Sequence, residues 1–198
     1  MSEPPSGDEQ DAQDMARLAG GHEAALNELM ERHAEKLFHY LLRSLQDEDD
    51  AADLAQETFV KIYQNRLKFD QNQKFTTWLY AIASNLVRDR YRWRSRHPQV
   101  SLDAENEQTE SNFKDSLSSD EPGPDEQLQT GERAATVREA VAALPEELRQ
   151  PLILAMYQGM SQAEIAEILK CSVKAVETRI YRARQHLRTA LTDLLQSA

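Results

Sequence analysis

Near the end of this 198-residue chain a capping signal, a short break and a second amphipathic run restrict its folding more than any other stretch. Ser161 precedes Glu164 by three residues, the pattern of a capping box in which hydroxyl and carboxylate each satisfy a backbone N–H that the first helical turn leaves unpaired. That sets the start of a helix. Ile165 and Leu169 then share a face, Ala166 is small enough for a second helix to cross closely, and Ser172 can cap that second helix after a three-residue turn. Val176, Ile180, Ala183 and Leu187 recur at spacings of four, three and four, which predicts one buried stripe. The opposite face carries Lys174, Glu177, Thr178, Tyr181, Arg182 and Arg184. Such a helix suits a DNA major groove, because arginine and lysine neutralise phosphates and donate to guanine while glutamate accepts from cytosine. A helical hairpin with a solvated basic face has the same spacing, so a second motif is needed to choose between them.

A net charge of −11 looks wrong for a DNA-binding chain until it is divided. Residues 1–31 hold one basic and eight acidic side chains, and residues 97–131 hold one and nine. Residues 32–96 hold twelve basic against nine acidic, and 132–198 nine against eight. The acidity therefore lies in two polar segments, and the stretches 85–96 and 170–189 are locally basic. The single cysteine, Cys171, excludes an internal disulfide and a cysteine-cluster metal site; in the predicted turn it reads as a small packing residue. No apolar run approaches the ~18 residues a membrane span needs, and the acidic N-terminus does not resemble a signal sequence, so a cytoplasmic protein without membrane insertion is expected.

Periodicity divides the chain further. Residues 1–13 lack it and are predicted to be a disordered acidic tail. Ala25, Leu26, Leu29, Met30, Leu37, Leu41, Leu42 and Leu45 predict one or two helices ending near Gln46, and the acids from Asp47 to Asp50 suit the N-terminus of the next, which runs to about Arg66. Residues 67–74 read as a polar loop. Thr76 or Thr77 can cap a long helix through Trp78, Leu79, Ile82, Leu86 and Val87 to about Trp93. From 97 to 131 the pattern dissolves into a flexible acidic linker. Helix returns near Glu132, Pro145 reads as a first-turn proline and Gly159 as the close of that helix. No stretch alternates as a strand does. The expected fold is all-α, two small helical domains at 14–96 and 132–198.

Two further motifs carry information. On the run from Asp53 to Tyr63, Leu54, Ala55, Phe59, Ile62 and Tyr63 form the inner stripe, leaving Asp53, Gln56, Glu57 and Lys61 for solvent or for a basic protein surface. From Phe75 to Arg96, a predicted core of Trp78, Leu79 and Ile82 is followed by five arginines between Arg88 and Arg96 with Tyr91 and Trp93 among them, a composition that suits unpaired nucleic acid because rings stack on bases while guanidinium groups follow phosphates.

In their order along the chain these motifs resemble the extracytoplasmic-function (group 4) sigma factors of bacterial RNA polymerase. Leu54-Ala-Gln-Glu57 with Phe59 looks like the family's core-binding helix, Thr76-Thr-Trp-Leu-Tyr-Ala-Ile-Ala-Ser-Asn85 like its promoter-melting helix, and residues 144–184 like its C-terminal domain. The resemblance implies that a sigma-2 domain docks on the polymerase beta-prime clamp through Asp53, Gln56, Glu57 and Lys61. It implies that the same domain reads the minus 10 element through Tyr80, Asn85, Arg88, Arg90, Tyr91 and Arg92, with Asn85 capturing a base that has left the stack and the 67–74 loop helping to form the pocket. A sigma-4 domain would bind the beta flap and read the minus 35 element through Ser172, Lys174, Ala175, Glu177, Thr178, Arg179, Tyr181, Arg182 and Arg184. The linker would thread toward the RNA exit path, and an anti-sigma factor would regulate the whole. Two departures stand out: Glu177 in the recognition helix, which bears on the minus 35 sequence read, and Pro151 inside a helix, which is expected to bend it. Neither cofactor nor metal is expected.

Two other classes fit the residues less well. A stand-alone helix-turn-helix regulator leaves Gln56 and Glu57 unused. An enzyme such as a metal-dependent hydrolase lacks paired ligand spacing among His22, His33, His39, His97 and His186, a glycine-rich phosphate loop and a nucleophile motif.

Overall fold

A computed structural model describes residues 6–97 and 124–192, and among the described residues every regular element is helical. The first surprise is at the N-terminus. Ser6 and Glu9 form a capping box, with Ser6 N–H donating to Glu9 at 2.9 Å and Glu9 N–H to the Ser6 hydroxyl at 3.4 Å, and α1 spans Gly7–Ala19. The expected disordered tail is therefore helical from residue 7 on; residues 1–5 lie outside the described residues. The inner face of α1 carries Asp11 and Asp14, each buried, beside Met15 and Leu18. Those carboxylates meet Arg32 and His33, so the burial of charge is compensated by ion pairs and hydrogen bonds.

Arg32 and His33 belong to α2, Ala24–Leu45. Gln46 follows in the left-handed conformation at φ 58° and Asp47 caps α3, Glu48–Asn65, by accepting from the Asp50 N–H at 2.9 Å, so the chain reverses in two residues. After a short 3₁₀ turn at Arg66–Lys68 and an irregular stretch, α4 runs from Phe75 to Arg96. Neither Thr76 nor Thr77 caps it. Lys74 occupies the cap position without a side-chain bond, because Phe75, packed between His33 and Phe69, already anchors the first turn in the core and carries Thr77 inside with it.

Residues 98–123, the greater part of the predicted linker, lie outside the described residues. The second unit begins with α5, Pro124–Ala142, earlier than the return of helix expected near Glu132. Pro145 is the cap of α6, Glu146–Met156, rather than its first turn, and buried Pro151 lies within that helix. Gly159 takes a left-handed φ of 65° beyond the end of α6. The capping box at Ser161 and Glu164 starts α7, Gln162–Leu169; Lys170 turns the chain at φ 52°; and Ser172 caps α8, Val173–Ala190, through the Ala175 N–H at 3.1 Å. Ile165, Ala166, Leu169, Val176, Ile180 and Ala183 are all buried, the stripe expected of a helix-turn-helix.

Two tests arise at this cap. Ser161→Ala should lower stability by about 1 kcal/mol in a denaturant titration, the usual cost of losing a serine cap. The hydroxyl and N–H of Ser161, and then Lys74, hold the Glu164 carboxyl down at about 2. Its folded pKa lies below the ordinary carboxylate value, so its stabilising contribution is complete above that value and drains away as pH falls through the window down to about 2. Glu164→Gln should flatten the loss of stability across that acidic window; a slope identical to wild type would mean that the cap is not ionically held.

The two units pack on one another, α4 against α7 and α2 against α6, with polar groups at the seam. The buried Tyr40 hydroxyl lies 2.7 Å from Ser84 and donates to Gln150 at 3.3 Å, and burial pushes its pKa up to about 12. Arg149, 8% exposed, donates to the Ser44 carbonyl at 2.8 Å and the Tyr91 hydroxyl at 2.9 Å. Tyr80 donates to Gln158 at 2.6 Å, and Lys74 pairs with Glu164 at 3.0 Å.

Candidate polymerase and nucleic-acid interfaces

The 3.6-residue repeat divides α3 into two faces. Leu54, Thr58, Phe59 and Ile62 are buried against the core, and the Thr58 hydroxyl is satisfied by the Leu54 carbonyl at 2.6 Å. Asp53, Gln56 and Glu57 are exposed on the other side, as expected. Val60 joins them at 52% exposure and was missed, although an apolar residue between Gln56 and the following turn is a detectable signal. An acidic, amide-bearing face with one apolar point at its edge can bury a small patch while pairing charge around it.

Lys61 stands apart from this group. Its Nζ lies 3.2 Å from Glu57, yet its side chain also lines a cavity of about 280 Å³ with Asn65, Lys68, Trp78, Ile82 and Asn85. Asn85 is half-buried at this opening, and its carbonyl oxygen accepts from Arg88 at 3.2 Å, which leaves the amide N–H₂ for another partner. Asn65 is fixed by donating to the Lys61 carbonyl at 2.9 Å and accepting from Lys68 at 3.0 Å. Trp78 forms an aromatic wall and is itself braced by Phe69 at 5.2 Å between ring centres. The cavity thus offers two amides, two ammonium groups, a π-face and the Asp89 carboxylate; the amides and the ring are groups that bind an extruded nucleobase. Of the 67–74 loop, Lys68 lines this cavity. Asp70, Asn72, Gln73 and Lys74 line a separate cleft with Glu164 and Glu167 of α7.

The remaining residues assigned to minus 10 recognition divide in two. Arg88 lies beside Asn85 and Arg92 is exposed. Tyr80 is only 3% exposed beneath the second unit, and Tyr91 donates to the Ser44 carbonyl at 2.5 Å. Arg90 pairs with Asp50, while Arg94 bridges Asp47 at 2.9 Å and Asp50 at 2.5 Å. The acids expected only to favour the α3 dipole therefore also clamp the end of α4. In this closed arrangement Tyr80, Arg90 and Tyr91, expected among the minus 10 residues, serve the protein's own packing.

On α8 the expected row is exposed except for the partly buried Thr178. Lys174, Glu177, Tyr181, Arg182 and Arg184 face outward, with Lys174 and Glu177 paired at 2.8 Å and Tyr181 63% exposed. Ser172 is used as the cap, Ala175 and Thr178 lie at the edge of the row, and the half-buried Arg179 leans toward Cys171 Sγ at 3.7 Å. Among the described residues no group of acids, histidines and cysteine could hold a metal ion, and no helix is long and apolar enough to cross a membrane.

Comparison with known proteins matches two separate stretches of the chain. Residues 29–97 match the family model of sigma-70 region 2, and residues 134–187 that of sigma-70, region 4. The RNA polymerase sigma-H factor of Pseudomonas aeruginosa is 35% identical over 190 residues, covering 96% of this chain and 98% of its own. The ECF RNA polymerase sigma factor SigW of Bacillus subtilis is 35% identical over 175 residues, covering 88% and 92%. CnrH, solved in complex with the cytosolic domain of CnrY, matches with a TM-score of 0.65 at 30% identity over 93% of this chain and 98% of that one. The sigma factor RpoE of Bartonella quintana, solved with the anti-sigma factor NepR, has the same fold, with a TM-score of 0.63 at 23% identity over 84% and 96%.

Proposed function

The chain belongs to the sigma-70 family of RNA polymerase sigma factors, in its extracytoplasmic-function group, and we propose which of its surfaces carries each step of initiation. As a sigma factor it binds core RNA polymerase and directs promoter-specific initiation; it is not an enzyme, and the polymerase supplies the chemistry. Its place of work is the cytoplasm. The outer face of α3, with Asp53, Gln56, Glu57 and Val60, docks on the beta-prime clamp. The exposed row of α8 enters the major groove at minus 35, where Arg182 and Arg184 meet phosphates or guanine and Tyr181 offers apolar contact to a thymine methyl. The Asn85 cavity takes one unpaired base of the minus 10 element, and Lys61 belongs to this cavity as much as to the clamp-facing surface.

The observation that carries the assignment is the half-buried Asn85 amide at a base-sized opening with Lys61 and Lys68 on its lip and Trp78 as its wall. Promoter opening by Asn85→Ala holoenzyme should fall about tenfold, the order expected for loss of one good base contact, with affinity for core polymerase unchanged. Equal losses in both assays would remove the base-reading role.

The packing of α7 on α4 bears on the order of events. Tyr80 reaches a DNA strand only after the second unit has left, so engagement of the polymerase precedes capture of the strand. CnrH and the Bartonella RpoE have each been seen held by a protein partner, and the compact arrangement with both units in contact supports a regulator of the same kind here, an anti-sigma factor that binds the closed form.

A further inference from the structure

Where the 70–74 loop meets α7, the two units leave an open cleft of about 400 Å³ between them. Asp70, Asn72, Gln73, Lys74 and Thr77 line it from the first unit, Glu164 and Glu167 from the second. Three carboxylates therefore face one ammonium group, and that ammonium is already shared, 3.0 Å from Glu164 and 3.6 Å from Asp8 of α1. The other two acids each keep an oxygen in reserve. Asp70 Oδ1 accepts from the backbone and side-chain N–H groups of Asn72 at 2.9 and 3.0 Å, and Glu167 Oε1 accepts from Gln73 Nε2 at 2.5 Å. Asp70 Oδ2 and Glu167 Oε2 meet no donor among the described residues. Thr77 adds an independent sign. It is 2% exposed, yet its hydroxyl finds no hydrogen-bond partner among the described residues and is not sealed from solvent either, so it opens on the cleft it lines. Buried polar groups are paired in native proteins, so an open hydroxyl among unpaired carboxylate oxygens marks a place for a donor. The acids do not form a group that could hold a metal ion, and the cation that suits them is an extended one with several N–H groups.

We propose that this cleft binds a guanidinium or primary ammonium group that bridges Asp70 of one unit and Glu167 of the other, with the Thr77 hydroxyl accepting a further hydrogen bond, and that the occupied cleft holds the units closed. A guanidinium suits the arrangement best, because its planar fork donates to two carboxylates and a hydroxyl at once. A ligand that needs both walls favours the closed form by mass action. The effect on initiation rests on the reading of closure as the state that withholds Tyr80; the binding does not.

The test is a calorimetric titration of the full chain with agmatine at about 150 mM salt, which suppresses diffuse attraction to a chain of net charge −11. A dissociation constant on the order of 0.3 mM is expected of so small a ligand. Asp70→Asn and Glu167→Gln keep the shapes and the contacts to Asn72 and Gln73, and each should weaken binding about tenfold; Thr77→Val should weaken it severalfold. Helicity of all three should equal wild type, which shows them folded. Unchanged affinity in both carboxylate variants would put the cations on acidic residues elsewhere in the chain and overturn the site. Loss in only one would confine the ligand to a single unit and overturn the bridge. Because the titration uses neither DNA nor polymerase, its result stands apart from the assignment of the promoter-reading surfaces. A capped Gly-Arg-Gly peptide is titrated alongside. Tighter binding by the peptide than by agmatine assigns the site to an arginine of a partner protein, and binding by agmatine as tight or tighter assigns it to a free amine.

Discussion

Replacing Gln56 and Glu57 together with alanine will weaken competition for core RNA polymerase about thirtyfold against the housekeeping sigma factor, the loss expected when a central pair of interface residues is truncated. Both side chains are exposed on α3, and the stripe beneath them, Leu54, Phe59 and Ile62, is untouched by the change, so the variant should fold as wild type. Glu57 also holds Lys61 at 3.2 Å. Its loss frees an ammonium group beside the Asn85 cavity, so nonspecific affinity for single-stranded DNA should rise slightly while polymerase binding falls. Competition assays with helicity measured in parallel decide the matter. Wild-type competition by the double variant would place the polymerase contact on a different face.

Arg149→Ala should open the molecule. The guanidinium group spans the seam, and its removal leaves the Ser44 carbonyl and the Tyr91 hydroxyl without their charged donor in a region closed to water. Hydrogen bonds to a charged group contribute enough that about 3 kcal/mol is expected in all, roughly a hundredfold in the ratio of closed to open forms. Arg149 also donates to the Leu144 carbonyl at 2.7 Å, so part of the loss falls within the second unit. Cys171, the single cysteine, accepts one fluorophore, and a cysteine introduced on the outer face of α2 accepts the other. Energy transfer between them should drop in Arg149→Ala and change little in Tyr91→Phe, which loses only one of the two bonds that Arg149 makes across the seam. An unchanged distance distribution in Arg149→Ala would mean that the remaining seam contacts, Tyr40 with Gln150, Tyr80 with Gln158 and Lys74 with Glu164 among them, keep the units together without Arg149.

What was legible in the sequence was local. The Ser161 and Glu164 cap, the three-residue turn and the Val176 stripe depend on neighbours within a few positions, and each appears as expected. The N-terminal helix was missed because two of its inward residues are aspartates. Asp11 and Asp14 look like solvent residues until Arg32 and His33, distant in sequence, arrive to pair with them. Ser6 and Glu9 carried the one local signal that would have found it. The same limit explains Arg90, which reads as a phosphate ligand beside its neighbours and becomes a structural tie only when α3 brings Asp50 to it. The seam was wholly hidden. Tyr40, Ser84, Arg149 and Gln150 are polar, and polar residues on helices read as surface unless both sides of the contact are known. The Asn85 cavity was half legible. The asparagine and its loop stood out, whereas Lys61 and Asn65 come from a different helix and no spacing rule links them to it.

The double tie of α4 to α3 has a mechanical consequence. A helix of 22 residues is roughly 33 Å long, and this one is held at its start by the buried Phe75 ring and near its end by Arg90 and Arg94. These ties at both ends resist sliding of the segment between Asn85 and Arg94, so the element can act as a gauge. A strand laid along it must conform its own spacing to a fixed length, and one inserted nucleotide has to bulge out or leave a contact empty. If the minus 10 strand lies along α4 as proposed, promoters would be sorted by distance as well as by letter.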